Sequence, residues 1–113
     1  MKVLVSFAEI EKITAGNPQV MKELLGIFVK QNGDNVADIK KLFAEQNWNG
    51  LKKTAHKLKS SLALVGLPRH RALAEELEHT AGNEITQTTK LVAELTEATR
   101  KVIAEIELKL QAL

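Results

Sequence analysis

Residues 47–66 read NWNGLKKTAHKLKSSLALVG, and the fold turns on this stretch. Leu51, Ala55, Leu58, Leu62 and Val65 are spaced by four, three, four and three residues, so they form one apolar seam on a helix. Asn47 is a good cap for the start of that helix and Gly66 a good terminator for its end. At ~100° per residue, His56 projects ~140° from the centre of the seam and faces solvent. Lys52, Lys59, Ser60 and Ala63 share that outer surface, at helical offsets from the histidine.

Outward from this helix the chain reads as helical throughout. It has 113 residues, 2 prolines and no cysteine, with only 4% aromatic residues. Short breaks at Gly16–Asn17, Asn47–Gly50, Gly66–Leu67 and Gly82–Asn83 divide it into five segments. The first runs from Ser6 to about Ala15, with Ser6 and Glu9 as a capping box and Phe7, Ile10 and Ile13 on one face. The second opens with Asn17 as cap and Pro18 at the first helical position. Met21, Leu24, Leu25, Phe28, Val36, Ile39 and Phe43 then recur at helical spacing to about Gln46. Asn32-Gly33 interrupts them, as a weak point or kink in one long helix, with two shorter helices as the alternative. The fourth helix starts at Pro68 and runs through Leu73 and Leu77 to about Ala81. The last spans about Glu84 to near the C-terminus, with Leu91, Leu95, Val102, Ile106 and Leu110 inward. Short connections between amphipathic helices predict an all-α fold: an up-down antiparallel four-helix bundle with a short extra N-terminal helix, in a single domain over residues 1–113.

Composition excludes several chemistries. Without cysteine there is no disulfide framework, thiolate zinc site or cysteine nucleophile. His56, His70 and His79 lack tight ligand spacing, so no metal site is expected. No glycine-rich phosphate loop is present, so the chain has no ATP site and is not a kinase by itself. Met1 to Ile10 shows no signal-peptide pattern and no stretch approaches a membrane span, which predicts a cytoplasmic protein with no membrane partner. Trp48 is expected to close one end of the bundle. Between Lys40 and Arg71 lie eight basic residues and one acid, Glu45, a local charge of +7 in a chain of net charge +2, which leaves −5 elsewhere. Such a sector suits an acidic or phosphorylated partner, or is an ordinary solvated lysine face. Few aromatics and near-neutral charge argue against nucleic acid.

An exposed imidazole among lysines has a chemical meaning. Its neutral ring nitrogen is a nucleophile near pH 7 that can accept a phosphoryl group, and nearby lysines can stabilise the transferred charge. Ser60 and Ala63 are small enough for a partner to approach closely, and Lys53 and Lys57 add positive potential.

The run His56-Lys57-Leu58-Lys59-Ser60-Ser61, followed by Gly66, resembles the signature of histidine-phosphotransfer domains. Arg71 to Glu78 is similar, without gaps, to that family's next helix with its Leu-Glu pair, and Asn47-Trp48 stands where the family commonly has Asp-Trp. The resemblance implies a phosphohistidine carrier, His56, that takes a phosphoryl group from a receiver aspartate or a kinase and passes it to a response-regulator receiver. It implies Lys59 as the neighbour of the phosphoryl group and Glu78 as a carboxylate bonded to the imidazole, the other reading of Glu78 being a surface acid paired with a lysine. Lys52, Lys53, Ser60 and Ala63 would meet the partner, either a receiver or a sensor or hybrid histidine kinase. The carrier itself is expected to need no cofactor, magnesium belonging to the receiver, and to work as a monomer. Ser60 departs from the glycine of many relatives. The alternative is a phosphorylation-silent helical interaction bundle, and the chain is equally compatible with a free-standing protein or a domain of a larger kinase.

Overall fold

The computed structural model describes residues 5–113; the first four residues of the Met1–Ile10 stretch lie outside it. Five helices follow in order: α1 (Ala8–Ile13), α2 (Pro18–Ala44), α3 (Trp48–Leu64), α4 (Pro68–Thr80) and α5 (Ile85–Ala112), with no strand among the described residues. Helices α2 to α5 close a ring in which each packs on the next and α5 returns to α2. This is the four-helix bundle that the periodicity predicts, with α1 as the extra N-terminal element.

The α3 seam accounts for much of the core. Leu51, Ala55, Leu58, Leu62 and Val65 are all fully buried, and they meet Leu25 and Ile39 of α2, Leu77 of α4, and Leu95 and Ile106 of α5 in one cluster. Burying a large aliphatic side chain contributes on the order of 1.5–3 kcal/mol, so this seam anchors α3 firmly. Trp48 meets the ring of Phe43 edge-on at 6.1 Å and lies so close to Gly82 that a Cβ there would come within 2.8 Å of it. It closes the bundle end as its place in the sequence suggests.

The helix ends follow the sequence where the cap is local. The Asn17 side chain accepts from the backbone N–H groups of Gln19 and Val20, and that of Asn47 accepts from Gly50. Gly50 is therefore inside α3 and not part of the break before it. Helix α2 ends in a turn that puts Gln46, a non-glycine, at φ +56°, where the N–H of Asn47 reaches back to the carbonyl of Leu42 at 2.9 Å. Gly66 plays the same part after α3 at φ +68°, where glycine escapes the steric penalty of a left-handed residue.

Helix α2 is one long element, as read from the sequence, and the alternative of two shorter helices falls: the buried Asn32 satisfies its amide inside the helix, its Nδ2 donating to the carbonyl of Phe28 at 3.0 Å and its Oδ1 accepting from Asn35 at 3.1 Å. Two expectations about the N-terminal segment need correction. The Ser6–Glu9 capping box does not form. Phe7 is the N-cap residue with no side-chain cap, while the N–H of Ser6 donates to the carbonyl of Val65 and ties the N-terminal segment to the end of α3. Ile13 does not join Ile10 inside. It is 59% exposed, because α1 has only six residues and the turn after it buries Thr14 instead, whose hydroxyl donates to the carbonyl of Ile10 at 2.7 Å.

Helices α2 and α5 have 27 and 28 residues, but α3 and α4 only 17 and 13. The bundle is consequently elongated, 44 × 22 × 21 Å.

Candidate functional site

His56 is the ninth residue of α3, and 60% of its side chain is exposed, as the angle from the seam predicts. Its Nδ1 lies 2.8 Å from Oε2 of Glu78, which sits near the end of α4. The other carboxylate oxygen, Oε1, accepts from the Lys59 ammonium at 2.9 Å. Glu78 thus bridges the two α3 side chains, meeting the imidazole with one oxygen and the lysine with the other. The bridge exists because α3 and α4 pack antiparallel across the short Gly66–Leu67 turn, which brings residues 22 apart side by side.

The electrostatics follow from this geometry. The Lys59 ammonium bonded to Glu78 holds its carboxyl below the ordinary value of 4.5; partial burial works against this, and the bond to His56 adds to the lowering. Glu78 is therefore a carboxylate at neutral pH and accepts hydrogen bonds at both oxygens. With Oε2 as an acceptor, the imidazole tautomer that satisfies the contact carries its proton on Nδ1 and leaves the Nε2 lone pair free.

Two shallow depressions flank His56. Toward α4, Lys52, Lys53 and Lys57 line one with His56 and Glu78. Toward α2, His56, Lys57, Ser60 and Ser61 face Gln31, Asp34, Asn35 and Asp38 across the other. The predicted residues Lys52, Lys53 and Ser60 therefore surround the imidazole. Ser60 stays exposed, its hydroxyl 3.4 Å from the carbonyl of His56. Ala63 is exposed on the same face but opens onto a separate cleft with Gly66, Leu67, Pro68 and Arg71. The acids of α2 are the surprise, since they give the groove one basic and one acidic wall. Their place depends on the register of α2 against α3, which no periodicity within one helix reveals.

The other histidines differ in kind. His79 is exposed, whereas His70 is 6% exposed with Nε2 unpartnered, and burial, with Arg69 adding to it, lowers its pKa below 6.5. Among the described residues no three histidine, aspartate or glutamate side chains gather as a metal site requires.

The family model of the Hpt domain matches residues 23–113. The chain belongs to the Hpt domain family. Hpt domains take part in histidine phosphotransfer in two-component phosphorelays, where they meet histidine kinases and response-regulator receivers and act as phosphocarriers rather than catalysts. Neither the curated proteins nor the solved structures give a match to this Hpt domain. Among its described residues, no helix is long and apolar enough to cross a membrane.

Proposed function

We propose that this Hpt domain carries its phosphoryl group on Nε2 of His56, receiving it from the aspartyl phosphate of a receiver or from a kinase and delivering it to a receiver aspartate. The observation that carries the reading is the Glu78 bridge. Its carboxylate occupies Nδ1 and so directs the other nitrogen, on a ring that is 60% exposed, toward a partner.

The chemistry asks little of the carrier. The Nε2 lone pair attacks phosphorus in line, the N–P bond forms, and the bond from phosphorus to the aspartyl oxygen breaks with its electrons returning to the carboxylate. The ring gains positive charge as the bond forms, and Glu78, 2.8 Å from Nδ1, stabilises that charge. Lys59 holds Glu78 in place and adds a positive charge beside the ring, while Lys52 and Lys53 attract the acidic centre of the partner. Ser60 leaves the approach open. The receiver brings its own magnesium ion, and the carrier uses no cofactor.

The test is transfer from receiver domains of the same genome, each phosphorylated beforehand by a small donor, to wild type and to His56→Ala. Acid-labile, base-stable label on wild type alone is the expected result. A variant labelled as well as wild type would place the phosphoryl group elsewhere. A folded wild type that takes no label from receivers, from kinases or from phosphoramidate would leave the phosphorylation-silent interaction bundle as the function.

A further inference from the structure

Helix α5 has a face that the bundle does not use. Its inner side is buried along Leu91, Leu95, Val102 and Ile106, and it stands across the ring from α3. On its outer side, steps of four and three from Thr86 to Gln111 follow one exposed line along nearly the whole helix. The charges on this line are Lys90, Glu97, Arg100 and Glu107, and the alanines Ala93 and Ala104 stand between them. Among the described residues the only side-chain ion pairs are those of Glu78, so none of the four charges is paired there.

The line is self-complementary when one copy is reversed against another. About a twofold axis level with Ala98 and Thr99, Glu97 meets Arg100, Lys90 meets Glu107, Ala93 meets Ala104 and Thr86 meets Gln111. On one flank the exposed Glu94 and Lys101 also come together. No neighbouring arrangement does this. A slip of one heptad puts Glu97 against Glu107 in one direction and Lys90 against Arg100 in the other, and parallel pairing puts every charge against its own kind.

We infer that the outer face of α5 is a self-association surface: two copies pair antiparallel along it, each Glu97 against the Arg100 of the other. This takes the place of the monomer anticipated from the sequence. The strip is ~38 Å long and about one helix diameter, ~12 Å, wide, so the pair covers roughly 900 Å² in total. That is below the standard size of a stable interface, and exposed ion pairs add little each, so the contact is reversible and salt-sensitive. With α5 across the ring from α3, both imidazoles stay uncovered, and the paired unit presents two His56 side chains facing away from the contact.

Sedimentation equilibrium of the full chain up to ~1 mM at ~20 mM salt, repeated at ~0.5 M salt, tests the surface. The variants are Glu97→Arg, Arg100→Glu and the swap that carries both. Wild type is expected to dimerise reversibly, with the dissociation constant rising about tenfold at the higher salt. Either single reversal should weaken the dimer at least about tenfold, because it sets like charges together twice over, and the swap should return to within about threefold of wild type. The chain has no cysteine, so orientation can be read from disulfide formation. Ala93→Cys and Ala104→Cys proteins should cross-link readily when mixed and slowly alone, since like positions lie ~16 Å apart along the antiparallel pair. A wild type that stays monomeric at ~1 mM and low salt overturns the inference. So do single reversals within about twofold of wild type, a swap that fails to restore the dimer, or Ala93→Cys that cross-links alone as fast as in the mixture.

Discussion

Replacing Glu78 by glutamine keeps the shape of the bridge and removes its charge. The carboxylate lies 2.8 Å from Nδ1, and with the charge centres ~4 Å apart a full positive charge on the ring would gain about 4 kcal/mol at an effective dielectric of 20 but only about 1 kcal/mol in water. The imidazole is 60% exposed and the glutamate side chain 22%, so screening keeps the value near the lower limit, about 1–1.4 kcal/mol. Glu78→Gln should therefore shift the phosphotransfer equilibrium five- to tenfold away from His56. Part of that factor should appear as slower loading and the rest as faster unloading. Rapid-quench transfer with one phosphorylated receiver, followed in both directions, measures each. Adding Lys59→Ala in both backgrounds separates the two roles open to the lysine. If Lys59 acts only by holding Glu78, its removal adds nothing to Glu78→Gln; if it meets the phosphoryl group, the two losses multiply. Rates and equilibrium both within twofold of wild type for Glu78→Gln would refute the stabilisation of the ring.

Three further outcomes follow from the same geometry. In carboxyl-carbon NMR, Glu78 should titrate below 4.5 and move up toward it in Lys59→Ala, because the lysine bond is the largest cause of the lowering; the matching stability is present above 4.5 and is lost as pH falls through the depressed value. His70 binds its proton more weakly folded than unfolded, so stability should fall as pH drops below 6.5 toward its lowered value. His70→Leu should flatten this part of the urea-unfolding profile between pH 7.5 and 5, and parallel profiles would rule out the linkage. Gly66→Ala meets both the left-handed φ and Ser6, whose Cβ would lie 2.7 Å from the new methyl; a loss of about 2 kcal/mol and ~8 °C in Tm is expected by calorimetry, whereas Gly33→Ala, with open space around it, should gain up to ~1 kcal/mol.

What the sequence reveals is what repeats or caps locally. Leu51, Ala55, Leu58, Leu62 and Val65 declare α3, and the angle between that seam and His56 alone predicts an exposed imidazole. Asn17 with Pro18, and Asn47, announce their helices because a cap bonds within three residues of itself. Asn32-Gly33 interrupts the apolar pattern, yet the single helix read there holds, since the buried amide bonds the carbonyl four residues back in its own helix. Ser6 misleads, as its backbone is engaged by Val65, 59 positions away. Glu78 could be placed beside His56 only through the family resemblance, because a partner on the next helix has no periodic signature. Asp34 and Asp38 had no signal at all: their role as a wall of the groove follows from how α2 slides against α3.

His56 sits in the middle of an unbroken helix whose inner face is fully buried, with its ring held by a neighbouring helix. A reactive group mounted this way brings no hinge, lid or loop of its own. With His56 as the proposed phosphoacceptor, the helix that presents the bare nucleophile would present the loaded one without rearrangement, so little of the barrier in either direction would be reorganisation of the carrier. Such a carrier behaves as a passive conductor, and the direction of flow through it is set by the relative energies and concentrations of the partners at either end.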